Sequence, residues 1–368
     1  MSIEAVFFAG GGTGGHIYPA LAVAEKIAKL SAGTRIHFFC SKRQIDSSIL
    51  GKTNFEFTAL PATGFSANPT GAVNFLKNFY GSYKIARRKI AEADGAVVVA
   101  VGGFVAGPVG YAAKKLGVPL KLINVDIVPG KANKLLSRWA GEAFLQYGET
   151  EGFFNKKGVK TEITGCPLRG EFDGGCGGDI REELGLDKDK KILFITGASS
   201  GATNINSAVC ANLENISRFA DEWQIVHLTG TANYDNVATK YQQAKIQNKV
   251  LGYSDDIGRL LKEADLVVGR SGAVSVAEFE AAGAVVICMP YPYHKDRHQY
   301  LNAAKLVEAG AAVVVDDVAD KKDRTDRLWD QLSELMSDSG KLGQMKKCAE
   351  KLTGKNAAMK IAEKILSM

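Results

Sequence analysis

Residues 4–16, EAVFFAGGGTGGH, join a short apolar run to a glycine-rich loop, and a helical pattern follows from Pro19 to Leu30. This order indicates a strand, a tight loop and a helix. Residues 191–201, KILFITGASSG, repeat the plan near the middle of the chain. The repeat predicts two α/β domains, each with a parallel sheet covered by helices on both faces.

Other apolar runs predict the remaining strands. They lie at residues 35–40, 96–101, 119–124 and 142–146 in the first half, and at 223–228, 265–269, 284–289 and 312–315 in the second. We expect an N-terminal domain over 1–168, a glycine-rich linker over 173–179 within a C-terminal domain over 169–343, and a helix over 344–368 that packs back toward the N-terminal domain. Ligands of such folds bind at the carboxyl ends of the strands, so the cleft between the domains is the expected site.

The composition is that of a globular protein: 368 residues, 46% hydrophobic and 23% charged, with a formal net charge of +6. It excludes a disulfide-stapled miniprotein, a disordered tail and a coiled coil, and the modest basic bias favours anionic partners without indicating nucleic acid. The six cysteines form no C-x-x-C pair, which predicts reduced thiols and no zinc site. The N-terminus lacks a basic region before its apolar run, so no signal peptide is expected. Residues 95–113 carry no charge, but five glycines and Pro108 favour a strand, a turn and a helix start over a membrane span.

The two glycine loops each leave an alternative open. Gly10, Gly12 and Gly15 match G-x-G-x-x-G, but no acid ends the second strand, and Lys42 and Arg43 suit only a 2′-phosphate, as in an NADP-linked oxidoreductase. The second loop matches the G-x-S-x-G of a hydrolase elbow, yet Ser199 at a helix N-terminus equally suits a phosphate, which we favour.

The segment 270–278, RSGAVSVAE, carries the strongest binding pattern. Small residues after a strand let backbone N–H groups approach a diphosphate, and Arg270 adds fixed positive charge. Glu278 can accept hydrogen bonds from the two hydroxyls of a ribose, with Glu280 as the competing exposed acid. The polar segment 290–302 that follows suits a sugar, and a polar surface loop is its alternative.

His16 directly follows the first glycine loop. A helix N-terminus lowers the pKa of a histidine there and favours a neutral ring that can act as a base. A histidine that only caps the helix or packs against it is the alternative interpretation.

These motifs together resemble the MurG family, whose members transfer N-acetylglucosamine from UDP-N-acetylglucosamine to undecaprenyl-diphospho-muramoylpentapeptide. The resemblance runs over the whole chain, through residues 11–20, 102–108, 165–169, 196–206, 270–278 and 298–302. It implies two Rossmann-like domains facing a cleft, in the glycosyltransferase B arrangement, and an inverting reaction without metal or cofactor.

The resemblance also implies roles for individual residues. From the chemistry of an inverting transfer we expect His16 to be the general base, with Asp126 second. The residues implied to bind the UDP-sugar are Thr13, Gly14, Gly15, Asp126, Arg169, Ser199, Ser254, Ala273, Val274, Ser275, Val276, Ala277, Glu278 and Gln299, with Arg270, His298 and Asn302 in support.

This chain departs from the family pattern at residues 123–130, INVDIVPG, where family members carry His-Glu-Gln-Asn before the Pro-Gly step. The glutamate is replaced by Asn124, and Phe104 stands where a tyrosine is common. A related transferase with another acceptor, or a nucleotide-sugar binder without turnover, therefore stays open.

Residues 66–90 contain no acid and combine basic with aromatic side chains. This pattern suits docking on an anionic lipid surface, with Phe75, Leu76, Phe79, Arg87 and Arg88 facing the membrane. We expect a peripheral protein on the cytoplasmic face of the cell membrane, and a solvated helix face is the competing interpretation.

Overall fold

The computed structural model describes residues 3–65, 68–173, 178–198, 201–352 and 356–367. Contacts divide the chain into two compact units: residues 1–169 with 355–368 form the N-terminal unit, and residues 170–354 form the C-terminal unit.

The N-terminal unit is a seven-stranded parallel sheet in the order β3-β2-β1-β4-β5-β6-β7. Its strands are β1 (Ala5–Ala9), β2 (Arg35–Ser41), β3 (Glu56–Leu60), β4 (Ala96–Ala100), β5 (Leu120–Asn124), β6 (Glu142–Leu145) and β7 (Lys160–Ile163). Its helices are α1 (Gly14–Leu30), α2 (Gln44–Leu50), α3 (Pro69–Ile90), α4 (Gly103–Leu116), α5 (Lys131–Leu136), α6 (Glu151–Asn155) and α16 (Ala358–Leu366). The central strands β1 and β4 are buried along their whole length, as apolar runs covered on both faces should be.

The C-terminal unit is a six-stranded parallel sheet in the order β10-β9-β8-β11-β12-β13. Its strands are β8 (Lys191–Thr196), β9 (Trp223–Leu228), β10 (Asn248–Leu251), β11 (Leu266–Gly269), β12 (Val286–Cys288) and β13 (Ala312–Val314). Its helices are α7 (Ile180–Leu184), α8 (Thr203–Ala211), α9 (Leu213–Ile216), α10 (Tyr234–Tyr241), α11 (Ile257–Glu263), α12 (Ala273–Ala282), α13 (His298–Glu308), α14 (Lys321–Ser337) and α15 (Ser339–Ala349). The two-domain α/β class predicted from the glycine loops is confirmed.

The predicted single helix over residues 344–368 is wrong: the structure has α15 up to Ala349 and α16 from Ala358. The two residues directly before α16 form tertiary hydrogen bonds. Asn356 exchanges two hydrogen bonds with the backbone of Leu168, at 3.0 and 2.9 Å, and Ala357 N donates to the Cys166 carbonyl. These bonds, together with that of Lys121 Nζ to the Lys364 carbonyl, fix α16 to the N-terminal sheet.

No helix in the described ranges is long and apolar enough to cross a membrane. The uncharged segment 95–113 forms β4, a glycine turn and the start of α4, as predicted.

Candidate active site

The first glycine loop is held at the Gly12 peptide from two sides. Gly12 N donates to both carboxylate oxygens of Asp46, at 3.0 and 2.8 Å. The Gly12 carbonyl accepts a 2.8 Å hydrogen bond from Arg43 Nη1. Gly12 has φ +89°, a left-handed conformation that glycine adopts without strain. The turn between β2 and α2 therefore fixes the shape of the loop.

This arrangement disfavours the dinucleotide-binding alternative. Such a site needs free loop N–H groups facing a pyrophosphate, whereas Gly12 N already binds the buried carboxylate of Asp46. A Cβ added at Gly11 would lie 2.5 Å from Asp46 Oδ2, so this position must stay small. Arg43, the candidate for a 2′-phosphate, bonds Gly12 and lies 5.3 Å from the centroid of the Phe104 ring.

His16 lies in the first turn of α1, at the point where the strand order of the N-terminal sheet reverses between β1 and β4. A Cβ added at Gly102, after β4, would lie 3.0 Å from His16 Nε2, so the second glycine turn closely approaches the ring. Thr13 Oγ1 lies 3.2 Å from Nδ1. Desolvation by burial lowers the pKa of His16 below its ordinary 6.5, against the opposing effects of Asp126, the Gly11 backbone and Asp46. The ring is therefore neutral at pH 7 and can accept a proton.

Asp126 lies in the turn after β5, and its charge raises the pKa of His16. Asn124 shapes this turn: its Nδ2 donates to the Asp126 carbonyl at 2.8 Å, and its Oδ1 accepts from Asn133 Nδ2 at 3.2 Å. Asn124 is fully buried, so its amide supports the backbone of the turn. In the segment 123–130, where family members carry a glutamate, the carboxylate of this chain is therefore that of Asp126.

Four further predicted site residues belong to the N-terminal unit. Thr13 is exposed, Gly14 is buried and Gly15 is half-buried. Arg169 was implied to lie near the diphosphate; the structure stacks its guanidinium 4.6 Å from the ring centroid of Tyr18, two residues beyond His16.

The strand order of the C-terminal sheet reverses between β8 and β11, and the helices α8 and α12 begin after these strands. Ser199 lies outside the described residues. Gly272 precedes α12 in an extended conformation, with φ −63° and ψ 152°. The hydroxyl of Ser271 beside it is buried and has no hydrogen-bond partner among the described residues. The start of α12 therefore offers backbone N–H groups and one buried hydroxyl.

The guanidinium of Arg270 belongs to a buried network of hydrogen bonds and ion pairs centred on Asp317. Its Nη2 lies 2.8 Å from Asp317 Oδ2, and its Nη1 donates to the Met289 carbonyl at 2.8 Å. Asp317 is fully buried and also accepts from Asn204 Nδ2, at 2.8 and 3.1 Å, and from Arg324 Nη1 at 3.4 Å. Arg270 therefore fixes the turn before α12, and its charge is shared with this carboxylate.

The predicted residues of α12 differ in their accessibility. Val274 and Ser275 are half-buried, while Ala273, Val276 and Ala277 are buried, and Val276 packs in the core of the unit. Glu278 is only 8% exposed, so it is not a solvated helix residue. Glu280 is half-buried, and desolvation raises its pKa to about 6 against the opposing charge of Lys305.

The polar segment after β12 is ordered by its own contacts. Gln299 Oε1 accepts from Tyr291 N at 2.8 Å. His298 Nδ1 lies 2.7 Å from Asp296 Oδ1, and its ring stacks on His294 at 4.3 Å between centroids. Asn302 is fully buried, and its Nδ2 donates to the Ser271 carbonyl at 3.3 Å, which ties α13 to the turn before α12.

Ser254 lies in the turn between β10 and α11. Its hydroxyl accepts a 3.0 Å hydrogen bond from Asp256 N. The backbone groups of Ser254 remain the candidates for a hydrogen bond to the uracil of the nucleotide, the role that the family resemblance implies.

The predicted membrane-facing residues lie on α3. Leu76, Arg87 and Arg88 are exposed, and Phe75 and Phe79 are half-buried. Aromatic rings continue from α3 to α4 and beyond; the contacting pairs are Phe65–Phe75, Phe75–Phe79, Phe79–Tyr111, Tyr83–Tyr111 and Tyr111–Trp139. Lys84, Lys114 and Lys115 lie over the rings of Tyr80, Trp139 and Tyr111 respectively. We call these residues the aromatic-basic surface.

Two family models match the chain: the glycosyltransferase family 28 N-terminal domain over residues 6–145 and the glycosyltransferase family 28 C-terminal domain over residues 192–365. A relative from Acetivibrio thermocellus is 34% identical over 97% of this chain and 96% of its own length. It is named "UDP-N-acetylglucosamine--N-acetylmuramyl-(pentapeptide) pyrophosphoryl-undecaprenol N-acetylglucosamine transferase". The chain belongs to the MurG family of glycosyltransferases.

A second relative agrees with membership of the MurG family, and two solved structures share the fold. A relative of the same name from Halalkalibacterium halodurans is 33% identical over 97% of each chain. The crystal structure of Acinetobacter baumannii MurG has a TM-score of 0.71 at 23% identity, covering 99% of both chains. The S. aureus MnaA-UDP co-structure has a TM-score of 0.65 at 14% identity, covering 98% of this chain and 94% of its own. These two structures support the fold.

Two acids that shape the site of this MurG-family member were missed by sequence analysis: Asp46 and Asp317. Each is fully buried and contacts a predicted motif from a distant part of the chain. An acid within the apolar spacing of a short helix is the one signal that could have indicated Asp46.

Proposed function

We propose that the chain transfers N-acetylglucosamine from UDP-N-acetylglucosamine to the C4 hydroxyl of undecaprenyl-diphospho-muramoylpentapeptide, with inversion at the anomeric carbon. The observation that carries the proposal is the similarity over 97% of the chain to a relative named for a transfer between these partners. The geometry of each unit supports one half of the chemistry.

In the N-terminal unit, His16 takes the proton of the acceptor hydroxyl as the oxygen attacks the anomeric carbon. In this proposal Nδ1 carries the hydrogen of the neutral ring and donates to Thr13 Oγ1, 3.2 Å away, so that Nε2 accepts the proton. The negative charge of Asp126 stabilises the imidazolium that forms.

In the C-terminal unit, the start of α12 receives the β-phosphate as the bond between the anomeric carbon and UDP breaks. Backbone N–H groups and the helix dipole stabilise the charge that develops on this leaving group. We assign the ribose hydroxyls to Glu278, the transferred sugar to Gln299 and the uracil to the backbone at Ser254. Arg270 acts by holding the turn through Asp317.

The replacement of Glu278 with alanine tests the nucleotide site. We expect UDP binding to weaken by about 1–3 kcal/mol, because two hydroxyl hydrogen bonds to a charged acceptor are lost. Calorimetry with UDP measures the change, and Glu280→Ala, two residues away, is the matched control and should bind UDP like the parent. An unchanged affinity in the Glu278 variant would remove this carboxylate from the site.

Product analysis tests the transfer itself. The enzyme should form a β-linked disaccharide from the α-linked donor in the presence of EDTA, since the helix N-terminus rather than a metal ion stabilises the leaving group in this proposal. The anomeric proton coupling of the product reports the linkage. An acceptor lacking the C4 hydroxyl is the matched control. An α-linked product, activity restored only by Mg²⁺, or equal turnover of the control acceptor would contradict the proposal.

A second candidate function is transfer to a different acceptor. It is favoured by Asn124, which stands where family members carry a glutamate. The structure supports the first candidate on this point, because the buried Asn124 holds the turn that carries Asp126. Donor turnover with a different lipid-linked sugar, and none with the muramoylpentapeptide, would select the second candidate.

We further propose that the aromatic-basic surface docks on anionic lipid at the cytoplasmic face of the cell membrane. Leu76 and Tyr80 are 66% and 57% exposed, and cationic side chains accompany the rings. Burying such apolar groups in a bilayer while lysine contacts lipid phosphate is favourable.

Replacing both Leu76 and Tyr80 with serine should weaken binding to phosphatidylglycerol vesicles by about 10²-fold, since each large apolar side chain contributes about 1.5 kcal/mol or more when buried. Vesicle co-sedimentation measures the effect. Leu301→Ser, an exposed leucine of the C-terminal unit, is the control. Equal sedimentation of the double variant and the control would refute this docking surface.

A further inference from the structure

A fully buried carboxylate lies beside the first glycine loop with only neutral donors around it. Asp46 Oδ2 accepts from Gly12 N at 2.8 Å, from Ser41 N at 2.8 Å and from Ser41 Oγ at 2.6 Å, while Oδ1 accepts from Gly12 N at 3.0 Å. Within the described part of the chain, Asp46 forms no ion pair. A buried charge without a counter-ion is costly, so its presence beside a loop of the site needs an explanation.

The negative charge of Asp46 raises the pKa values of two neighbouring groups, Cys40 and His16. Burial, and then the charge of Asp46, raise the pKa of the Cys40 thiol to about 12. The same charge favours the protonated form of His16, against the desolvation that lowers its pKa. A charge in a region of low dielectric acts over longer distances than an exposed one.

We propose that Asp46 is a positioning residue of the reaction: its carboxylate fixes the Gly12 peptide that leads to His16, and its charge stabilises His16 once the ring holds the acceptor's proton. The inference rests on the proposed role of His16 as base. In that step the hydroxyl proton moves to His16, the bond from the acceptor oxygen to the anomeric carbon forms, and the bond to UDP breaks with its electron pair. The negative charges of Asp46 and Asp126 then both stabilise the imidazolium.

Other charged groups around this loop are cationic. Arg43 is bonded to the Gly12 carbonyl, and Arg169 stacks on Tyr18. An asparagine at position 46 keeps an oxygen acceptor for Gly12 N and so leaves both contacts in place, which allows the charge to be tested separately.

The test is Asp46→Asn, in which the amide oxygen can take the place of Oδ2 and keep its three hydrogen bonds. The charge and the longer 3.0 Å bond from Gly12 N to Oδ1 are lost. We expect kcat to fall about tenfold and the acidic limb of its pH profile to move about one pH unit lower, with the KM for UDP-N-acetylglucosamine unchanged. The sign follows because the base works only when neutral, and removing a nearby negative charge makes the imidazole easier to deprotonate. A role in folding alone would lower the Tm and leave this limb in place.

Ser41→Ala is the matched control: it removes one donor to Asp46 and keeps the charge, so its acidic limb should coincide with that of the parent. Asp46→Ser provides a second uncharged variant if the asparagine variant does not fold. A folded uncharged variant with the parent's kcat and acidic limb would overturn the inference.

The variant His16→Ala distinguishes a failure of the proposed role of Asp46 from a failure of His16 as the base. If this variant is inactive while Asp46→Asn titrates like the parent, only the present inference fails. If His16→Ala keeps the parent's kcat, the proposed base fails and the role of Asp46 fails with it. An NMR titration of the His16 ring in the resting parent and Asp46→Asn enzymes reads the coupling without activity, and an unchanged midpoint would contradict it.

Discussion

Replacing His16 with alanine is expected to lower kcat by about 10²–10⁴-fold, the usual contribution of a general base. The KM for UDP-N-acetylglucosamine should change little, because the donor contacts assigned above lie in the C-terminal unit, on α12, on α13 and at Ser254. Steady-state UDP release with saturating acceptor measures both constants. Thr13→Val is the control: it removes the 3.2 Å contact to Nδ1 but keeps the imidazole, so its loss should be much smaller.

The pH profile of the parent enzyme provides a second readout of His16. Burial holds the pKa of His16 below its ordinary 6.5. The base must be neutral, so kcat rises as pH rises through this pKa, and the midpoint of the rise lies below pH 6.5. The alanine variant should lose this acidic limb. An intact limb in the variant would assign it to another group, of which Asp126 is the first candidate.

Replacing Asp317 with alanine should destabilise the C-terminal unit by about 3–5 kcal/mol, because Arg270 and Arg324 would lose their shared buried carboxylate. For a unit of this size the loss corresponds to a decrease in Tm of roughly 6–20 °C. UDP affinity should fall as well, since the turn before α12 depends on Arg270. Calorimetric unfolding with and without UDP measures both effects.

Asp316→Ala is the matched control for this prediction. Asp316 is exposed and accepts one hydrogen bond from Tyr300 OH at 2.9 Å, so its removal should cost less than about 1 kcal/mol. Equal Tm values for the two variants would show that the Asp317 network does not hold the turn.

Most of the strands that sequence analysis predicted are interior strands buried on both faces, where apolar runs are nearly continuous. The exception is β13, an edge strand whose short apolar run was still predicted. The strands it missed, β3, β7 and β10, all lie at sheet edges. Edge strands are partly solvated, and β7 reads Lys-Thr-Glu-Ile, which carries no apolar run. Their existence follows from the sheet they complete rather than from their own residues.

The site was predictable where local pattern determines it. Glycine loops after strands and small residues at the start of α12 identified both motifs. The acids that hold them could not be predicted, because Asp46 contacts Gly12 across 34 residues and Asp317 contacts Arg270 across 47. These long-range contacts depend on the order of the strands in each sheet, which cannot be predicted from a single sequence. The ion pair of Arg270 with Asp317 could not be predicted for the same reason, and a contribution of Arg270 to diphosphate binding stays a prediction.

Acceptor-dependent release of UDP from UDP-N-acetylglucosamine, measured with EDTA present, tests the proposed reaction as a whole. The account predicts rapid release with the lipid-linked muramoylpentapeptide in detergent and negligible release without it. Nucleotide binding without release in the presence of this acceptor would contradict the account and leave a nucleotide-sugar protein with a different acceptor or none.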